Sequence, residues 1–146
     1  MIEDLIHVHV EDVDFSYPDL EHLRKWIGDC VACEEKQVGP INIIFCSDDY
    51  LLKYNKTYLD HDYYTDIITF GYEENPIEGD LYISLDRVKD NASSRGIKLQ
   101  DEVDRVIIHG VLHLLGYNDK TEEEQKIIAE KEDACLCQRE GCTRSD

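Results

Sequence analysis

Two histidines four residues apart stand in the segment His109-Gly-Val-Leu-His113-Leu-Leu-Gly116-Tyr-Asn-Asp119. On a helix this spacing projects both imidazoles from one face, about 6 Å apart along the axis, a bite suited to one metal ion. Gly116 follows at the point where a left-handed residue is needed to reverse the chain. The reversal can return Asp119 towards the histidines as a third ligand. Two nitrogens, one carboxylate and an open fourth position describe a catalytic zinc centre, whereas a structural zinc is closed by four protein ligands. Zn2+, one ion per chain, is therefore expected on His109, His113 and Asp119. Two histidines on an otherwise apolar buried helix also need polar partners, and a metal supplies one.

The elements that must hold this cluster can be read from the surrounding pattern. Asp101 to Leu115 is apolar on nearly all sides, which predicts a central helix rather than a surface one. Ile6 to Val10 alternates as a strand, with His7 and His9 together on its outer face. Pro18-Asp19 opens a helix that runs to about Lys36. Ile41 to Cys46 reads as a buried strand, and Ser47 as the N-cap of a helix from Asp48 to about Leu59. Asp66–Phe70 and Asp80–Leu85 read as a hairpin whose turn contains Asn75-Pro76 and Gly79. A short helix from Asp86 to Ser94 ends at Gly96. Thr121-Glu-Glu-Glu124 is a capping box for a last helix to about Cys137, with a frayed tail over 138–146. The expected fold is α+β: a single domain over 1–146, with a four-stranded mixed sheet, helices, and the metal site on a central buried helix.

Composition narrows the function classes. The chain has 146 residues, 42% apolar and 33% charged, which suits one soluble domain and not a disordered chain. No run of eighteen apolar residues exists, so no membrane span is expected. Met1 to Val10 carries acidic and no basic residues, unlike a secretory or transit leader, so a cytoplasmic location is expected. The net charge of −18 repels phosphate backbones at long range. Residues 86–98 are the exception, with Arg87, Lys89, Arg95 and Lys98 against Asp86 and Asp90, and they are the candidate contacts for any phosphate backbone. Cys30, Cys33, Cys135, Cys137 and Cys142 lack a consistent metal-knuckle spacing, and Cys30 and Cys33 fall within a helical pattern. Free thiols are expected there.

The His-x-x-x-His spacing is shared by two enzyme classes. Zincin peptidases place a glutamate general base directly after the first histidine, and metzincins add a methionine turn. This chain has Gly110 at the first position, and its only methionine is Met1. The other class is the YbeY family of metal-dependent bacterial endoribonucleases, with the signature H-G-x-L-H-L-x-G-Y-D-H. The chain resembles it at His109, Gly110, Leu112, His113, Leu114, Gly116 and Tyr117. A second family block is matched by Asn55, Tyr58, Asp62, Thr65, Asp66 and Phe70, and a third, G-D-I-x-I-S, by Gly79-Asp80-Leu-Tyr-Ile-Ser84. Three ordered blocks are far more specific than one motif.

The resemblance implies a zinc-dependent, single-strand-specific endoribonuclease. Its implied role is maturation of the 3′ end of 16S ribosomal RNA and ribosome quality control, with rRNA and the ribosome as partners. No DNA and no membrane partner is expected. Thr65 and Asp66 are placed beside the cleft, with Asp66 a candidate to orient a ligand histidine. The chain departs from the family at Asp119, where the family has its third histidine, and at Leu59, where it has an arginine able to clamp a phosphate. Lys56 and His61 are the neighbouring basic side chains. Two other readings stand beside this one: a zincin-like metallopeptidase, and a non-catalytic ribosome-associated protein with a structural zinc.

Overall fold

The computed structural model describes residues 5–59 and 65–139. In chain order the elements are β1 (Ile6–Val10), α1 (Leu20–Cys33), β2 (Val38–Cys46), α2 (Asp48–Leu59), β3 (Ile67–Glu74), β4 (Ile77–Ser84), α3 (Leu85–Arg95), α4 (Leu99–Leu114) and α5 (Glu122–Arg139). The four strands form one sheet in the order β1-β2-β4-β3. β1 and β4 both run parallel to β2, and β3 pairs antiparallel with β4. This is the mixed α+β sheet expected. Among the described residues, no helix is long and apolar enough to cross a membrane.

Local chemistry sets the boundaries. Asp19 caps α1 by accepting from the His22 amide at 3.1 Å. Ser47 Oγ accepts from the Tyr50 amide at 3.1 Å and fixes the start of α2. Thr121 and Glu124 close the capping box reciprocally, at 3.1 and 3.0 Å. Three expectations need correcting. α1 ends at Cys33, before Lys36, because Glu35 turns to a φ of 60°. The hairpin is longer than expected: β3 reaches Glu74 and β4 begins at Ile77, so Gly79 lies inside β4 and not in the turn. Gln138 and Arg139 are helical, since Arg139 is held by Asp101 and Asp104. Residues 140–146 of the expected tail lie outside the described residues.

β4 alternates Ile77, Gly79, Leu81 and Ile83 inward with Glu78, Asp80 and Tyr82 outward. The inward row meets α4, whose Val106, Ile107 and Val111 are buried. Sheet, α3 and α5 surround α4, which explains why its apolar residues cover nearly its whole circumference. Cys30, Cys33, Cys46, Cys135 and Cys137 are free thiols.

Candidate metal centre

The last two turns of α4 leave the core on one side only. There His109 and His113 face each other with ring centroids 4.6 Å apart and Nε2 atoms 3.0 Å apart. Gly116 adopts φ 106°, a left-handed value that a side chain resists, and the chain reverses. The reversal brings Asp119 Oδ2 to 3.3 Å from His109 Nε2 and 3.4 Å from His113 Nε2. Among the described residues this is the one group of three metal-ligating side chains close enough to share an ion.

Both rings are held from behind. His113 Nδ1 lies 2.9 Å from the Tyr117 carbonyl, and His109 Nδ1 lies 2.5 Å from Glu132 Oε2 on α5. Neither oxygen has a hydrogen to give, so each Nδ1 donates. Each Nε2 lone pair then points towards Asp119, the form a metal requires. Glu132 continues to Arg105 at 3.0 Å, and Arg105 clamps Glu102 through two bonds of 3.0 and 2.6 Å. Burial disfavours the charged form of His109. The Glu132 hydrogen bond and charge, helped by Asp119 and Asp66, outweigh it and leave its pKa above the ordinary histidine value.

A cavity of about 620 Å3 opens in front of the cluster. Besides the three candidate ligands, it is lined by Asn55, Thr65, Asp66, residues 67–69 and Gly71 of β3, Leu114 and Lys120. Thr65 and Asp66 both line this cavity. Burial pushes the Asp66 carboxyl above the usual carboxylate range, against the opposing charges of His109 and Arg105. The carboxylate bonded to His109 Nδ1, however, is Glu132, which sequence reading missed. A signal was present: Glu132 sits with Ile128 and Cys135 on the buried stripe of α5, at spacings of four and three. Glu102, Arg105, His109 and His113 form a matching polar line along α4.

The basic stretch is placed elsewhere. Arg87 bonds Asp48 at 3.2 and 3.1 Å and pairs with Asp90 at 3.6 Å. Lys89 and Arg95 are exposed, and Lys98 lines a separate depression with Tyr17, His22 and Arg139. None of the four lines the cavity. Of the second sequence block, Asp62, with the neighbouring His61, lies outside the described residues.

Gly110 has a physical reason in this fold. A Cβ there would lie 2.7 Å from Ile67 Cδ1 and 2.9 Å from Leu81 Cδ2. The helix face at this position is pressed against β3 and β4. A peptidase glutamate at 110 would point into the core and away from the cavity.

Known proteins resemble this chain along most of its length. The profile of the family described as endoribonuclease YbeY matches residues 6–140. A Cytophaga hutchinsonii protein named endoribonuclease YbeY is 46% identical over 95% of this chain and 99% of its own length. One of the same name from Phocaeicola vulgatus is 53% identical over 76% of this chain and 81% of its own. A Thermotoga maritima protein solved in solution superposes with a TM-score of 0.69 at 27% identity, covering 94% of this chain and 90% of that one.

Proposed function

The chain belongs to the YbeY endoribonuclease family, and on that premise we propose that it is a zinc-dependent, single-strand-specific endoribonuclease whose substrate is ribosomal RNA. Family membership supports a hydrolase acting on RNA. The observation that carries the zinc assignment is the donor triangle of His109, His113 and Asp119, with edges of 3.0, 3.3 and 3.4 Å. Ligand atoms on a tetrahedral zinc with bonds of about 2.0–2.1 Å stand about 3.3 Å apart. A set of two nitrogens and one carboxylate oxygen suits zinc better than the all-oxygen preference of magnesium or calcium.

Bound there, zinc supplies a Lewis acid for a phosphate oxygen and lowers the pKa of water. The chain supplies the rest. Asn55, Thr65 and Asp66 bring polar side chains to the cavity lining, and Lys120 brings a cation. Lys36 lines an adjoining depression that shares Gly71, His113 and Leu114 with the cavity. A strand of RNA lying along both would meet Lys120 in the one and Lys36, beside Glu73 and Glu74, in the other. Residues 86–98 act as an outer contact. Action at the 3′ end of 16S ribosomal RNA, in ribosome quality control and in the cytoplasm is part of the same proposal and rests on family resemblance. DNA is not a substrate in this reading.

Single-stranded RNA, double-stranded RNA, single-stranded DNA and denatured casein, each with zinc-loaded protein and with chelator, test the assignment. Chelator-sensitive cleavage of single-stranded RNA alone is expected. Chelator-sensitive casein cleavage with intact RNA would overturn it. Converting Arg87, Lys89, Arg95 and Lys98 to Glu should weaken RNA binding and flatten its salt dependence. An unchanged salt slope would move the contacts to Lys36 and Lys120.

A further inference from the structure

We propose that Glu132 is a positioning residue for the metal centre: held by Arg105, it fixes the tautomer and orientation of His109 and so couples helix α5 to metal affinity. The inference rests on the metal-binding reading above. Its geometry is independent of any reaction. Glu132 is 5% exposed and Glu102 is fully buried, so two carboxylates share a dry seam between α4 and α5. Arg105 lies between them and bonds both, at 3.0 Å to Glu132 and at 2.6 and 3.0 Å to Glu102. One Glu132 oxygen is on Arg105, and the other meets His109 Nδ1 at 2.5 Å.

The consequence concerns a lone pair. A neutral imidazole carries one hydrogen, on either Nδ1 or Nε2, and free in water it prefers Nε2. His109 in that form would turn an N–H towards His113 and Asp119 and could not ligate. Glu132 holds the hydrogen on Nδ1, which leaves Nε2 a lone pair aimed into the cluster. His113 receives the same service from a backbone carbonyl, so no side-chain substitution can remove it directly. His109 is thus the ligand whose readiness depends on a distant side chain, on a helix that contributes no ligand of its own.

The experiment uses the full chain and zinc ion, with two readouts that do not involve RNA. Chelator competition gives zinc affinity, and NMR of the imidazole nitrogens in metal-free protein at a pH where the rings are neutral gives the tautomer. In the unsubstituted protein His109 should carry its hydrogen on Nδ1. Glu132→Leu should move it towards Nε2 and weaken zinc about 10–100-fold. Glu132→Gln keeps an acceptor oxygen and should retain the Nδ1 tautomer, with a smaller loss of affinity. Arg105→Lys keeps the charge but loses the planar fork that bonds Glu102 twice while reaching Glu132, and should weaken zinc less than Glu132→Leu. Far-UV circular dichroism controls for folding. Absence of zinc binding by the unsubstituted protein would defeat the metal reading itself. Zinc held equally tightly by Glu132→Leu, or an Nδ1 hydrogen retained in that variant, would overturn the positioning role alone.

Discussion

Glu102 and Asp104 stand two residues apart on α4, both almost wholly buried, at 0% and 2% exposure, and their surroundings diverge. Asp104 accepts from the Tyr17 hydroxyl at 2.6 Å, from Gln100 at 3.0 Å and from Arg139 at 2.7 Å. That network ends on the carboxylate and ties the N-terminal loop and the end of α5 to α4. Glu102 opens a different one, through Arg105 and Glu132 to His109, and its last atom is a ring nitrogen facing a cavity. Burial of a charge is common to both. What separates a structural network from a functional one here is the terminal atom, satisfied in the first and left as an available lone pair in the second.

The largest test removes the carboxylate that faces that end point. Asp119→Ala leaves two nitrogens to hold the ion, and metal analysis after dialysis should find zinc near zero; Asp119→His should retain it. Stoichiometric zinc in the alanine variant would place the third ligand elsewhere. The closed network should respond in stability instead. Asp104→Ala removes the acceptor of the Tyr17 hydroxyl and one of the two acids on Arg139, Asp101 remaining, and should cost about 1–3 kcal/mol. Urea denaturation should show a lower midpoint at constant slope, while zinc affinity stays unchanged. A coupled fall in zinc affinity would mean the two networks are one.

The smallest effect sharpens the contrast with a pH-dependent tether. Glu34, where α1 ends, accepts from Tyr117 at 2.6 Å and Lys131 at 3.1 Å, joining α1 to the turn before Asp119 and to α5. Burial raises its carboxyl pKa, but those two hydrogen bonds and the lysine charge outweigh it and hold the pKa below the usual value. Its stabilisation is therefore present above the unfolded-state pKa and is lost as pH falls through the folded one. The stability difference between Glu34→Gln and the unsubstituted chain should persist at neutral pH, begin to shrink below about pH 4, and vanish once the pH is below the folded-state pKa. A difference that survives at lower pH would assign the effect to packing.

Much of this was legible in local sequence. The capping residues Asp19, Ser47 and Thr121, the apolar girth of α4, and the four-residue spacing of His109 and His113 each follow from interactions within a turn or two of chain. Such signals survive in the sequence because the partners are neighbours. The hairpin was read too short because Tyr72, Glu73 and Glu74 are exposed and lack strand alternation, and only pairing with β4 extends β3 through them. The basic stretch at 86–98 stands out in composition, yet Arg87 turns to Asp48, a partner 39 residues away.

By itself, the sequence determined the element order, the central helix, the two histidines and the family. Those depend on periodicity, caps and a contiguous motif, all short-range properties. Only the tertiary structure decided that Asp119 meets both histidines on one oxygen, that Gly110 packs against Ile67 and Leu81 of the sheet, and that an acid 23 residues beyond His109 meets its ring. Each of those depends on how separate elements dock. Docking is set by the sum of many weak contacts across the core, which no short window of sequence contains.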